Sequence, residues 1–114
     1  MEIYRHLSIQ EHDDRIVVDF TKKPILDAWT AKELGDELRD VAGRPDCRNL
    51  ALDLSVVRWM ASAVLANLLV VHRTMAAKGG SVTLAGIGPE MRGILARTKL
   101  DQVFSIGSNE ASTQ

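Results

Sequence analysis

The sequence predicts a single α/β domain built on a mixed, mostly parallel sheet of four to five strands, with an opening β-hairpin and three to four helices. Short apolar runs of strand periodicity alternate with longer runs of helical periodicity, in the order β β α β α β α. The chain has 114 residues, which is enough for one hydrophobic core and too few for two. Strands that alternate with helices pair in parallel through right-handed crossovers, so only the leading hairpin is antiparallel.

The hairpin is predicted from two strands that each carry apolar side chains on one face with a period of two. A polar turn at residues 11–14 joins the strands, and residues 21–27 follow them as a loop. The residues expected to face the core are Ile3, Leu7 and Ile9 in the first strand and Ile16, Val18 and Phe20 in the second.

The first helix is marked by a capping box, with Thr30 as the N-cap and Glu33 three residues later. Apolar residues at spacings of three, four and three predict the face that packs on the sheet: Ala31, Leu34, Leu38 and Val41. We expect Gly43 to be the C′ residue, because Pro45 soon afterwards prevents the helix from continuing.

The second half of the chain repeats the alternation of strand and helix. Residues 49–54 and 81–85 are predicted strands. Residues 62–78 form a helix with Ser62 as its N-cap, and its first half is apolar almost all round, which predicts burial on several sides. Pro89 suits the first position of a third helix.

The C-terminal part is expected to close the core and then to leave the domain. Leu100, Val103 and Phe104 are the closing apolar residues. The domain itself is assigned to residues 1–107, and residues 108–114 are predicted to be a polar, flexible tail.

The composition is that of an ordinary globular domain, with 46% hydrophobic and 25% charged residues. Fourteen lysines and arginines balance fifteen aspartates and glutamates, and the two signs are interspersed. The sequence therefore has neither the basic stripe of a nucleic-acid-binding protein nor a polybasic segment for anionic membranes. The single cysteine, Cys47, excludes an internal disulfide and a cysteine-based metal site, and it fits a reducing compartment.

No segment of the sequence is typical of a signal peptide or a membrane span. Glu2, Arg5 and His6 interrupt any early apolar run. The central uncharged stretch, residues 59–71, has 13 residues, whereas a membrane span needs about 20. We therefore expect a cytoplasmic protein with no direct membrane insertion.

Ser62 is the first candidate functional residue, because backbone N–H groups and the helix dipole favour negative charge at a helix N-terminus. The residue is either a helix cap or a phosphoacceptor. It cannot be a catalytic nucleophile with His72 as its base. Ten residues of one helix separate the two by about 15 Å, whereas such a pair needs about 3 Å.

Two further positions have a structural explanation beside a functional one. Gly86 and Gly88 follow a strand and precede a helix, but Met91 replaces the third glycine of a dinucleotide-binding motif, so a turn is the sufficient explanation. Asp53 ends a strand at the edge where α/β proteins bind ligands, or it caps the following turn.

Three large apolar residues lie near the loop–helix junctions: Trp29, Trp59 and Met60. Core packing is the default expectation for them, and a partner-binding patch is the alternative. The sequence shows no catalytic constellation, so we expect a binding or regulatory module without enzyme activity, metal or cofactor.

An ordered set of segments resembles the STAS domain family. The central match is Leu50-Ala51-Leu52-Asp53-Leu54-Ser55, followed by Ser62 and Leu65, where the family typically reads L-x-L-D-L-S and then D-S-S-G-L. The resemblance covers roughly residues 15–106. The other matching segments are Leu26-Asp27, His72-Arg73, Lys78-Gly79-Gly80, Val82-Thr83-Leu84-Ala85-Gly86 with Pro89-Glu90, Thr98-Lys99-Leu100-Asp101, and Val103-Phe104-Ser105-Ile106.

The resemblance implies a bacterial regulatory protein. The best-known free-standing members of the family are anti-sigma factor antagonists of bacteria, which bind an anti-sigma factor that is also a serine kinase and so release the sigma factor. The kinase phosphorylates the serine after the Asp of D-S-S-G, which ends binding, and that serine aligns with Ser62. The contact surface that the resemblance implies here consists of Asp27, Met60, Ala61, Ser62 and Leu65.

The sequence departs from the family at the phosphorylation motif, where D-S-S-G is replaced by Ala61-Ser62-Ala63-Val64. The serine is retained and its acidic neighbour is lost. Two interpretations therefore stay open: a regulator switched at Ser62, or a non-phosphorylated accessory or sensing domain of a transport, lipid-transfer or stress-signalling assembly. The sequence leaves the oligomeric state undetermined.

Overall fold

The computed structural model describes residues 4–20 and 24–107, and strands and helices alternate along them. The strands are β1 (Leu7–Glu11), β2 (Ile16–Phe20), β3 (Ile25–Leu26), β4 (Asn49–Asp53), β5 (Trp59–Met60), β6 (Ser81–Ala85) and β7 (Ser105–Ile106). The helices are α1 (Ala28–Ala42), α2 (Ser62–Ala77) and α3 (Pro89–Arg97), with a 3₁₀ turn at Leu100–Gln102. Ile3 and the predicted tail, residues 108–114, lie outside the described residues.

The main sheet has five strands in the order β1-β2-β4-β6-β7. β1 and β2 form the antiparallel hairpin, and the other neighbours pair in parallel. The predicted mixed sheet with an opening hairpin and three helices is therefore confirmed. Among the described residues, no helix is long and apolar enough to cross a membrane.

One hydrophobic core lies between the sheet and the helices α1 and α2. Alternate residues of the three central strands are buried in it, as their period of two requires: Ile16, Val18, Phe20, Leu50, Leu52, Val82 and Leu84. The residues between them lie on the opposite face of the sheet and stay partly exposed. The predicted stripe of α1 is also confirmed, because Ala31, Leu34, Leu38 and Val41 are all buried.

The two ends of α1 differ from the prediction. The N-cap is Asp27 and not Thr30: the Asp27 carboxylate accepts a hydrogen bond from the Thr30 N–H at 3.1 Å. Thr30 lies inside the first turn, where its hydroxyl donates to the Asp27 carbonyl at 3.1 Å. At the other end, Gly43 has φ −80°, so it extends the helical conformation and is not a left-handed C′ glycine.

The loop predicted for residues 21–27 can be compared over residues 24–27, and there, as in the connection at residues 55–60 between a predicted strand and a predicted helix, the structure adds a short strand. Ile25–Leu26 and Trp59–Met60 pair in parallel as a separate two-stranded sheet, β3–β5, which we term the ribbon. Two-residue strands are too short to leave a periodic signal in the sequence.

The closing segment is confirmed in part. Leu100 and Phe104 are buried, whereas Val103 is 39% exposed and does not close the core. The 3₁₀ turn explains the difference, because successive residues of a helical turn point in different directions.

Candidate partner-binding site

The ribbon brings the N-termini of α1 and α2 side by side. Its register pairs Ile25 with Trp59 and Leu26 with Met60, and the Ala61 N–H donates to the Leu26 carbonyl at 2.8 Å. Because α1 begins at Ala28 and α2 begins at Ser62, both helices start within two residues of this pairing. The positive ends of two helix dipoles therefore lie at one edge of the molecule.

The N-cap of α2 is Ala61, one residue earlier than predicted. Its backbone is extended (φ −69°, ψ 156°), and Ser62 is the first helical residue. The ribbon fixes this boundary, because the Ala61 N–H is bonded to Leu26 while the Ala61 carbonyl accepts from the N–H groups of Val64 and Leu65. Ser62 is thus exposed at the tip of the helix without acting as its cap.

The start of α2 lacks a side-chain cap, in contrast to α1. Within the part of the chain that the structure describes, α2 has no side-chain cap hydrogen bond, whereas Asp27 caps α1. Alanine is among the poorest N-cap residues. The first N–H groups of α2 are therefore suited to an external acceptor such as a phosphate group, and Ser62 is the residue that could carry one.

The structure distributes the five predicted contact residues between surface and core. Asp27 and Ser62 are exposed at neighbouring helix starts. Met60, Ala61 and Leu65 are buried and pack in the core, so they support this surface from beneath.

Four exposed apolar side chains complete the surface, and we term them the apolar patch: Ile25, Trp29, Val56 and Trp59. Each lies within three residues of β3 or β5 in the sequence. Trp29 is 92% exposed and Trp59 is 47% exposed, so the default expectation of core packing was wrong for both tryptophans. For Met60 the same expectation is confirmed.

The sequence contains a signal for the exposure of Trp29 that the prediction did not use. Trp29 precedes Ala31 by two residues, which places it about 200° from Ala31 around the helix. The buried stripe begins at Ala31, so Trp29 lies on the opposite side of α1. Large aromatic residues that are exposed beside polar groups are typical of protein interfaces.

The other candidates have structural roles. Asp53 caps its own turn, because its carboxylate accepts from the Ser55 N–H at 2.9 Å. Gly86 has φ +70°, and a Cβ atom there would lie 2.9 Å from the Asp53 Oδ1 atom, so the glycine allows a close turn. Within residues 4–20 and 24–107, no group of three or more His, Cys, Asp or Glu side chains could hold a metal ion.

Comparisons with known proteins connect this arrangement to one family. The sequence model of the STAS domain matches residues 6–113. An anti-sigma-factor antagonist (STAS) domain protein from Planctomyces limnophilus superposes with a TM-score of 0.83 at 16% identity, over 94% of this chain and 92% of that chain. An anti-sigma factor antagonist from Mycobacterium paratuberculosis gives 0.75 at 25% identity, over 88% and 82%.

A third solved protein is available in two states. The structure of the anti-sigma factor antagonist SpoIIAA is known in the unphosphorylated form, and that of the Bacillus cell fate determinant SpoIIAA is known in the phosphorylated form. The TM-scores are 0.69 and 0.68, both at 14% identity, over 94% of this chain and 93% or 96% of the other. At these identities, the TM-scores show a shared fold.

Proposed function

The chain belongs to the STAS domain family, and we propose that it acts as an anti-sigma factor antagonist-like regulator in a bacterial cytoplasm. It binds, reversibly and without catalysing a reaction itself, an anti-sigma factor of the serine-kinase type. The observation that carries this proposal is the exposure of the apolar patch beside Ser62 at the uncapped start of α2.

The binding surface that we propose is centred on the two tryptophans. Exposed tryptophan side chains are enriched among the residues that contribute most to binding free energy. Trp29 and Trp59 are attached to regular structure, α1 and the ribbon, so little backbone conformational entropy is lost when a partner covers them. Asp27 and Ser62 provide exposed polar groups at the same two helix starts.

The switch that we propose is phosphorylation of Ser62. The kinase transfers the γ-phosphoryl group of ATP to the Ser62 Oγ atom, which forms an O–P bond as the bond to ADP breaks and the hydroxyl proton is lost. The modification adds about −1.5 to −2 charges at pH 7. The N–H groups at the start of α2 can stabilise this charge, whereas an apolar or acidic surface of a docked partner cannot. The complex therefore dissociates without a large conformational change in the chain.

Ala61 has two opposite effects on this switch. An aspartate at this position would compete for the N–H groups of α2 and repel a phosphate on Ser62, so alanine favours the phosphorylated helix start electrostatically. Alanine also removes an acidic group beside Ser62 that a kinase could recognise. We therefore expect Ala61→Asp to change the rate of phosphorylation and not the position of the phosphate.

A capture experiment tests the proposal. Wild-type chain, Ser62→Ala, Ser62→Asp and Gln10→Glu are used as baits in extract of the native organism, and captured proteins are identified by mass spectrometry. Gln10 is exposed on β1, so Gln10→Glu is a control that adds one negative charge away from the ribbon. We expect wild type, Ser62→Ala and Gln10→Glu to capture an anti-sigma factor kinase, and Ser62→Asp to lose it.

Two results would contradict the proposal. If none of the baits captures an anti-sigma factor, the antagonist function is wrong. If all four capture it equally, the Ser62 switch is wrong, and the chain binds the anti-sigma factor whether or not Ser62 carries a negative charge.

A further inference from the structure

A groove runs between the ribbon and α3, and it shares Ile25 and Trp59 with the apolar patch. Its volume is about 650 Å³. Its lining residues are of two kinds, apolar and charged, which we term the floor and the rim of the groove. The floor residues are Pro24, Ile25, Trp59, Pro89 and Ile94, together with Gly93, and the rim residues are Arg58, Glu90 and Arg97.

Gly93 is the unusual residue of this groove, because it lies in the middle of the nine-residue helix α3. A glycine in a helix interior costs about 0.5–1 kcal/mol of stability relative to alanine. Intramolecular packing does not require it. Among the described residues, a Cβ atom built there would meet the guanidinium of Arg97 and no other group, at 3.2 Å, and this group is the flexible end of a long side chain. The lack of a side chain at Gly93 is explained if another molecule packs closely against the helix backbone there.

The rim of the groove has an excess of positive charge. Arg58 lies 3.9 Å from the Glu90 carboxylate, at the limit of an ion pair. Arg97 has no acidic partner among the described residues. The groove therefore combines an apolar floor with one uncompensated guanidinium, which favours a carboxylate beside an apolar group.

We propose that this groove docks a segment of the same partner protein in which a bulky apolar side chain is followed by a carboxylate. The apolar side chain lies over Gly93 against Trp59 and Ile94, and the carboxylate pairs with Arg97. This inference rests on the proposed function and names a second contact for its partner. Because the contact lies beside α3, it orients the partner with respect to the start of α2.

The test uses the purified full-length chain and the purified anti-sigma factor kinase of the same organism, with binding measured by calorimetry. Gly93→Leu fills the floor, and Arg97→Glu reverses the charge of the rim. Arg92→Glu makes the same charge change on an exposed residue of α3 outside the groove. We expect Gly93→Leu and Arg97→Glu each to weaken binding by about tenfold or more, and Arg92→Glu to change it by less than about twofold.

A stability measurement tests whether packing within the chain requires Gly93, and it does not depend on the binding of a partner. Gly93→Ala should raise the midpoint of thermal unfolding, because the substitution improves helix propensity and meets only a flexible side chain. A lower midpoint would show that Gly93 has a packing role, and it would overturn the argument.

The binding outcomes separate this inference from the proposed function. If wild type binds the kinase and Ser62→Asp does not, while the groove variants bind as wild type, the docking segment is wrong and the proposed function stands. If wild type does not bind, the proposed function fails and the docking site fails with it. If sedimentation shows a dimer that Arg97→Glu dissociates, the groove holds a second copy of the chain and the inference is overturned.

Discussion

Gly35 of α1 lies directly against the side-chain amide of Asn67 of α2, where the two helices cross. A Cβ atom at Gly35 would lie 2.5 Å from the Asn67 Cγ atom. The amide is held on both sides, because its Nδ2 group donates to the Ala31 carbonyl at 2.7 Å and its Oδ1 atom accepts from Arg39 at 3.3 Å. This contact fixes how closely α1 and α2 approach, and with it the position of the two helix starts at the ribbon.

The first prediction follows from this contact. Gly35→Ala should destabilise the protein by about 1–3 kcal/mol in urea unfolding, because the added methyl group overpacks a site that cannot relax. The matched control is Gly93→Ala, the same change in a helix interior without a packed neighbour, which should be stabilising. Equal effects of the two substitutions would show that the helix crossing is not tight.

The second prediction concerns the uncapped start of α2. Ala61→Asp should stabilise the protein by about 0.5–2 kcal/mol at neutral pH, since the carboxylate can accept from the first N–H groups of α2. Ala61→Asn separates hydrogen bonding from charge and should give a similar gain. A loss of stability in both variants would mean that the pocket around Ala61 is too closed for a cap.

The third prediction concerns the carboxylates of Asp19 and Asp53, which are adjacent in the register of β2 and β4. Partial burial raises the pKa of Asp19, and a hydrogen bond to Asp53 and repulsion from it act in the same direction. A raised pKa means that ionisation of Asp19 destabilises the folded state. The penalty is present above the raised pKa and is absent once the pH falls below the ordinary value of about 3.9.

Asp19→Asn should therefore raise the stability at pH 7, and the gain should disappear in acid. Asp13→Asn, an exposed change in the hairpin turn, is the control and should show no such dependence. Urea unfolding at a series of pH values checks both variants. A gain for Asp19→Asn that persists in acid would point to packing as its cause.

The fourth prediction concerns the apolar patch. Trp29→Ala should leave the unfolding midpoint nearly unchanged, because the side chain is 92% exposed, yet weaken binding of the anti-sigma factor kinase by about tenfold to hundredfold. Val70→Ala removes a partly exposed apolar side chain from the body of α2 and should leave binding nearly unchanged. If wild type, Trp29→Ala and Val70→Ala bind the kinase equally, the apolar patch is not part of the interface.

Long periodic elements were predictable from the sequence, and short ones were not. The stripe of α1 was found because four buried residues, Ala31 to Val41, repeat over three turns of helix. The ribbon was missed because two residues cannot show a period, and its pairing is a long-range contact between residues 25–26 and 59–60. The candidate site depends on that contact, so the sequence named candidate residues such as Ser62 and Asp27 but not the pairing that brings them together.

The predicted N-cap residues of α1 and α2 were wrong for a related reason. Asp27 and Thr30 are both good N-cap residues, and Ser62 is a better one than Ala61. The ribbon decides between them, because its hydrogen bonds end the extended backbone at Asp27 and Ala61 and the helices begin immediately afterwards. The pairing of the ribbon strands, and not the N-cap preference of single residues, therefore determines where the two helices begin.

The switch at Ser62 is tested most directly by mixing the purified chain with the purified anti-sigma factor kinase, with and without ATP. Intact mass and binding affinity are recorded for wild type and Ser62→Ala. We expect binding of both without ATP. With ATP, wild type should gain about 80 Da on Ser62 and lose affinity by about a hundredfold, while Ser62→Ala stays unmodified and bound. An unmodified wild type, or a phosphorylated one that binds as before, would contradict the account.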